Sequence, residues 1–223
     1  MIEGIKSISE FINSNYQIHS IYYTAQHAHL LPYSATKIAL FEVTSAELAK
    51  ISALQTPQGI LALVHLPDEQ KIDPQSLKGT FSLVLDDVQD PGNFGTIIRT
   101  ADWFGIKQII CSLNTVEAYN PKTVQATMGS LSRINITYAD LPIFLENVEL
   151  PIFGALLNGV DIYETNWGHE GLILLGNEGH GISEELVKLV TSKVTIPRFG
   201  GGESLNVAVS AAIFCSEIAR INK

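Results

Sequence analysis

Basic residues are scarce in this 223-residue chain: 14 Lys and Arg stand against 23 Asp and Glu, a formal net charge of −9. Extended binding to nucleic acid relies on many cations that neutralise phosphates, so this balance argues against a long electrostatic face. A small basic site, built from a few residues or from two copies of the chain, is still allowed. Cysteine is equally scarce. Cys111 and Cys215 cannot make a disulfide framework, and the opening MIEGIKSISE has an acidic residue where a secretory signal needs a basic stretch and an apolar run. A cytoplasmic protein is expected. Long apolar runs are missing too: the charge-free stretch 51–67 is interrupted by Gln55, Thr56, Pro57, Gln58 and Gly59, so no membrane segment is expected. The 46% of hydrophobic residues is nevertheless enough for a packed core and excludes a disordered chain.

Two unequal parts are expected from length and pattern. In the first, Ile5, Ile8, Phe11 and Ile12 share a helical face, and Ile18 to Tyr23 reads as a β-branched and aromatic strand. Thr44-Ser45-Ala46-Glu47 has capping-box spacing, and Ile60 to His65 reads as a second strand. Pro67 to Gly79, with Asp68, Glu69, Lys71, Asp73 and two prolines, has the composition of a linker. The division is therefore residues 1–70, a linker at 71–79, and residues 80–223. In the larger part the runs Phe81–Leu85, Gln108–Ser112, Arg133–Tyr138, Ile152–Leu156, Leu172–Leu175 and Lys193–Ile196 alternate with helical patterns. That alternation is the signature of crossover units and a mostly parallel sheet with helices on both faces. Asn120-Pro121 and Ser183 read as helix starts, and Gly105 as a stop.

Three loops follow presumed parallel strands, at the carboxyl ends where ligands bind in open α/β sheets. After Phe81–Leu85 comes Asp90-Pro91-Gly92-Asn93-Phe94-Gly95 and then a helix carrying Arg99; free amides near its start favour an anion. An ordinary turn with a surface arginine has the same composition. After Leu172–Leu175 comes Gly176-Asn177-Glu178-Gly179-His180-Gly181, whose glycines let backbone approach a ligand but do not spell the dinucleotide fingerprint. After Lys193–Ile196 comes Arg198-Phe199-Gly200-Gly201-Gly202-Glu203-Ser204-Leu205-Asn206, opening a last helix over Val207–Ile221 for which Ser204 could be the N-cap.

Taken in order, Asp90-Pro91-Gly92-Asn93-Phe94-Gly95 with Arg99, Gly176-Asn177-Glu178-Gly179, and Ile196-Pro197 with Ser204-Leu205-Asn206-Val207 resemble the three motifs of the SpoU (TrmH-like) RNA ribose 2'-O-methyltransferases of the SPOUT superfamily, from about Phe81 to the end. Ile2-Glu3-Gly4-Ile5-Lys6 is similar to the small α/β L30e-like substrate-binding domain that precedes this fold. The resemblance implies a C-terminal deep trefoil knot, a homodimer, and S-adenosylmethionine as cofactor. It also implies methyl transfer to a ribose 2'-hydroxyl of ribosomal or transfer RNA. The chain departs from the family's pattern in two places that remove positive charge: it starts near the end of the usual first strand, without the basic opening helix, and Gln125 stands where the pattern has an arginine.

Carried over residue by residue, the resemblance places Asn93, Arg99, Glu178, Ser204 and Asn206 toward the acceptor. The backbone at Ala155, Leu156, Gly176, Asn177, Ile196 and Leu205 is placed around the cofactor. A guanidinium titrates above about pH 12 and is a poor base, so Arg99 would grip a phosphate and stabilise the developing alkoxide. Glu178 would orient it, and Ser204 or Asn206 would polarise the hydroxyl. His27-Ala28-His29 lacks the partners of a metal site, so no metal is expected. Trp103 and Phe104 read as core or dimer contacts. A knotted methyltransferase acting on an RNA base and a non-catalytic RNA-binding relative are the alternatives. A Rossmann oxidoreductase would need a GxGxxG turn that is missing after the first strand of the larger part.

Overall fold

The computed structural model describes residues 1–31, 35, 37–68 and 72–222. The N-terminal part runs β1 (Ile2–Glu3), α1 (Ile5–Ile12), β2 (Ile18–Tyr23), β3 (Ala39–Glu42), α2 (Ser45–Ile51) and β4 (Ile60–Val64), forming a four-stranded sheet of order β1-β4-β2-β3. The capping box forms as its spacing requires: Thr44 Oγ1 accepts from Glu47 N at 3.2 Å, and Glu47 Oε2 accepts from Thr44 N at 2.8 Å. Of the linker read from sequence, Glu69 and Lys71 lie outside the described residues. Beyond them Pro74–Leu77 forms a 3-10 turn whose Leu77 is buried against the larger sheet.

That sheet takes β5 (Phe81–Leu85), β6 (Gln108–Ser112), β7 (Asn135–Ala139), β8 (Ile152–Asp161), β9 (Gly171–Leu175) and β10 (Ser192–Thr195). All six strands pair in parallel, in the order β10-β8-β9-β5-β6-β7. Between them lie α3 (Pro91–Trp103), α4 (Pro121–Thr127), α5 (Leu141–Glu146), α6 (Glu184–Val187) and finally α7 (Val207–Ile221). Both faces are covered, as the strands' unbroken apolar composition demands. Leu83, Leu85, Ile173 and Leu175 pack with residues of α3 and α7, while Val84, Leu172 and Leu174 pack with residues of α5 and α6. The two-residue period of the strands thus separates two apolar layers.

Several sequence expectations shift. β7 begins at Asn135, not at Arg133, because Ser130–Ser132 makes a 3-10 turn that Arg133 closes. The Arg133 side chain is drawn to Asp102, with Nη2 to Oδ2 at 2.7 Å, and to Glu10 of the N-terminal part. β8 continues beyond Leu156 to Asp161 because Val160 and Asp161 pair with Val194 and Thr195. Ser183 stands at the N-cap position of α6 without a side-chain cap bond; its N–H instead donates to Asp86 Oδ2 at 2.8 Å. Trp103 is not core: it is 84% exposed, while the neighbouring Phe104 packs half-buried on the core. Among the described residues, no helix is long and apolar enough to cross a membrane.

The closest helix contact fixes where the first loop ends. At Gly95 of α3, an added Cβ would lie 2.4 Å from Ala126 Cβ and 2.7 Å from the Thr123 carbonyl oxygen, so α3 and α4 touch only because the residue is glycine. Gly95→Ala is expected to destabilise the fold by about 1–3 kcal/mol in denaturant titration, the range for overpacking. Gly200→Ala, where nothing lies within 4 Å, is expected to stay within about 0.5 kcal/mol. Equal stabilities would contradict the close packing of α3 on α4.

Candidate active site

The loops after β5, β9 and β10 meet at the carboxyl edge of the sheet. The first is pinned from both sides. Asp86 N donates to Leu175 O at 2.9 Å, Asp87 N donates to Ser112 Oγ at 2.9 Å, and Gln89 Nε2 donates to Asn114 O at 2.6 Å. Asp87 sits at φ 56°, left-handed backbone that Asp tolerates better than most residues. Its carbonyl accepts from Asn177 Nδ2 at 2.7 Å. Asp90 then caps α3, its Oδ1 accepting from Asn93 N at 2.7 Å, with Pro91 in the first helical position.

The second loop closes on itself. Asn177 and Gly181 exchange backbone hydrogen bonds of 3.0 Å each, and Asn177 Oδ1 accepts from Gly179 N at 2.7 Å. A Cβ on Gly176 would lie 2.1 Å from the Gly181 carbonyl carbon, so only glycine fits beneath the turn. The Asn177 side chain is therefore spent on holding loop to loop, and what the turn presents outward is Glu178. Its Oε1 accepts from Asn93 Nδ2 at 3.0 Å, and the Gln89 and Asp90 amides lie at 3.4 Å from its two oxygens.

The third loop ends in Asn206, which caps α7: Oδ1 accepts from Ala208 N at 2.9 Å and Val209 N at 3.3 Å. Ser204 is not the cap. With its oxygen committed to backbone N–H groups, Asn206 has its amide nitrogen left to donate, and it does so to Asn93 Oδ1 at 2.9 Å. Asn93 must then turn its own nitrogen to the Glu178 carboxylate. The run Asn206, Asn93, Glu178 joins all three loops with every donor facing an acceptor, which also fixes both amide orientations.

Arg99 is not joined to this run. It lies about 9 Å farther along α3 than Asn93 and about 120° around it, exposed, with no ion pair among the described residues. Glu178 therefore bonds Asn93 where orientation of Arg99 was expected. The positions read as cofactor-binding lie on neighbouring strands. Gly154 of β8 pairs with Lys193 and Val160 with Val194, so residues 155–159 make an excursion between two consecutive positions of β10. Ala155 and Leu156 open that excursion, Gly176 follows β9, Ile196 follows β10, and Leu205 precedes the α7 cap. The backbone of 155–158 is left out of the β10 pairing, with the Leu157 carbonyl accepting from Thr195 Oγ1 at 3.3 Å, and its other polar groups suit the edge of a flat polar heterocycle. Gly159 ends the excursion with its Cα against the Lys193 and Val194 backbone, where a Cβ would lie 2.5 Å from Lys193 O. An isolated glycine within a strand pattern was the available signal for it; Gln89 had none.

Beside the run, α3 and α7 leave a groove of about 500 Å³ lined by Asn93, Thr96, Tyr163, Asn206, Val209 and Ile213. Burial pushes the Cys215 thiol up to about 12 and holds that of Cys111 well above the ordinary thiol range, so neither is a nucleophile near neutral pH.

The match to a family model described as SpoU rRNA Methylase covers residues 80–216, and a second, the MRM3-like substrate binding domain, covers residues 1–62. The 23S rRNA (guanosine(2553)-2'-O)-methyltransferase RlmP of Bacillus subtilis is 33% identical over 182 residues, 80% of this chain and 71% of that one. Among solved structures, a TrmH-family protein from Porphyromonas gingivalis aligns with a TM-score of 0.86 and 35% identity, over 99% of this chain and 89% of its own. An AdoMet-bound rRNA methyltransferase from Sinorhizobium meliloti aligns with a TM-score of 0.86 and 28% identity, over 99% and 86%. With three ordered loops, an all-parallel sheet beneath them and a family model matched over most of the chain, the chain belongs to the SpoU rRNA methylase family.

Proposed function

We propose that this chain transfers a methyl group from S-adenosylmethionine to a ribose 2'-hydroxyl of ribosomal RNA, with transfer RNA as the other member of the same substrate class. The observation that carries this reading is the hydrogen-bonded run Asn206, Asn93, Glu178 standing beside the freed backbone of 155–158. RlmP is named for the same reaction, and the Sinorhizobium rRNA methyltransferase was solved with AdoMet bound.

When bound, S-adenosylmethionine supplies an electrophilic methyl, so the protein's task is alignment and charge stabilisation. Backbone at Ala155, Leu156, Gly176, Asn177, Ile196 and Leu205 would hold it; Asn177 contributes main chain only, its side chain being engaged with Asp87 and Gly179. Asn93 and Asn206 fix the Glu178 carboxylate and shape the acceptor side, and Ser204, exposed before the cap, polarises the 2'-hydroxyl. Arg99, without an ion pair among the described side chains, meets an RNA phosphate and the alkoxide that develops on the ribose oxygen.

In this proposal the chain divides into a substrate-binding part (1–70), a linker (71–79) and a catalytic part (80–223). It also includes the family's trefoil knot, which the strand order β10-β8-β9-β5, with α7 returning beside α3, supports. A homodimer is supported by the groove between α3 and α7, where Val209 is exposed and Ala212 and Ile213 are half-buried. Two buried free thiols are in keeping with a cytoplasmic location.

Nucleoside mass spectrometry of ribosomal and transfer RNA from cells with and without the gene tests the reaction. Loss of one 2'-O-methylnucleoside is expected, whereas loss of a base-methylated nucleoside, or no change, would contradict it. For the residue roles, Arg99→Ala is expected to slow single-turnover methyl transfer by a factor on the order of 10² or more, the scale of a lost charge-stabilising donor. S-adenosylmethionine affinity by calorimetry should stay near that of the native chain, and Arg99→Lys should rescue poorly, a point charge being no substitute for a two-pronged donor. Loss of cofactor affinity in proportion to activity would refute this role.

A further inference from the structure

Among the described residues, Phe199 is the most exposed of the large apolar side chains, at 97%. It stands on the loop between β10 and the α7 cap, beside Arg198 and ahead of Gly200, Gly201 and Gly202. A Cβ on any of these glycines would meet no atom within 4 Å, so the loop stands clear of the rest of the subunit. What shapes it is a bond from Arg198 Nη1 to the Gly202 carbonyl at 3.1 Å, which folds the loop back and leaves the remaining guanidinium nitrogens free to donate.

The position of this ring matters more than its exposure. The chain from Phe199 to Ser204 spans at most about 17 Å, so the ring stays within a few nucleotides of the acceptor ribose. Leu157, in the β8 excursion with its carbonyl accepting from Thr195 Oγ1 at 3.3 Å, and Leu205, next to the α7 cap, are exposed as well. The α3 and α7 groove, the surface suited to a second copy of the chain, does not include Phe199. A chain of net charge −9 has few cations for phosphates, and stacking is the sequence-tolerant alternative, since every base has a π-face.

We propose that Phe199 is a substrate-recognition residue: its ring stacks on a nucleobase at or next to the methylated ribose, with Arg198 on the adjoining phosphate. This rests on the RNA methyltransferase reading. The glycines let the ring swing to the base without strain in the rest of the loop.

The test uses the full chain with Phe199→Ala, Phe199→Leu and Phe199→Trp, and in-vitro-transcribed large-subunit ribosomal RNA. Binding is read by anisotropy of a labelled transcript and transfer by single-turnover assay over a range of RNA concentrations. Alanine and leucine are expected to raise the half-saturating RNA concentration on the order of tenfold, the scale of one lost stack. Tryptophan should preserve it, with cofactor affinity and the mass from light scattering unchanged throughout. A leucine variant that saturates like the native chain overturns the proposal, because an apolar contact would then suffice. So does a fall in cofactor affinity, which would place the ring in the cofactor wall, or a fall in mass, which would place it between subunits. A native chain that binds the transcript through Phe199 yet transfers nothing to ribose would instead overturn the enzymatic reading.

Discussion

The site depends on how one amide is oriented. Two backbone N–H groups at the start of α7 have no partner within their helix, and Asn206 Oδ1 accepts from both. That leaves a donor to face Asn93, which must then offer an acceptor to Asn206 and a donor to Glu178. Reversing any one amide would set donor against donor or acceptor against acceptor. Local helix capping thus becomes a constraint on three loops that are remote in sequence. These bonds are exposed to solvent and each contributes little to folding; their effect is on orientation, where displacements of about 1 Å matter to rate.

The sheet beneath makes this run possible. Parallel pairing puts the carboxyl ends of β5, β9 and β10 on one edge, and burial of both faces holds their register. Two close approaches set the loop heights. Gly176 lets its turn fold onto Gly181, and Gly159 lets β8 return onto β10 after the 155–159 excursion. The excursion gives up pairing with β10 at the edge where the motifs converge; the Leu157 carbonyl is met by Thr195 Oγ1, and a ligand can meet others.

Much of this was legible in the sequence wherever a local rule governs. The bounds of β2, β5, β6 and α7 follow from apolar runs with caps or turns at their ends, and Asn120-Pro121 does start α4. The three ordered motifs located the loops. What was not legible depends on partners far away in the chain. Ser204 and Asn206 are both competent caps, and the structure selects the one that also reaches Asn93. Arg133 sits in an apolar-flanked stretch that resembles strand until Asp102 and Glu10 are brought beside it. Trp103 reads as a core or dimer contact from its helical position; at the end of α3 it is not core, being exposed on the subunit surface.

The central claim is that the three motifs act through one hydrogen-bonded run. It is tested most directly by a double-mutant cycle of Asn206→Ser with Glu178→Ala, read in single-turnover methyl transfer. Asn206→Ser keeps a capping oxygen, adds no charge and is too short to donate to Asn93, and the two mutated residues share no hydrogen bond of their own. Coupling of about 0.5–3 kcal/mol through Asn93 is predicted, the range for residues in one network. Additive effects within about 0.3–0.5 kcal/mol, the behaviour of independent sites, would contradict it.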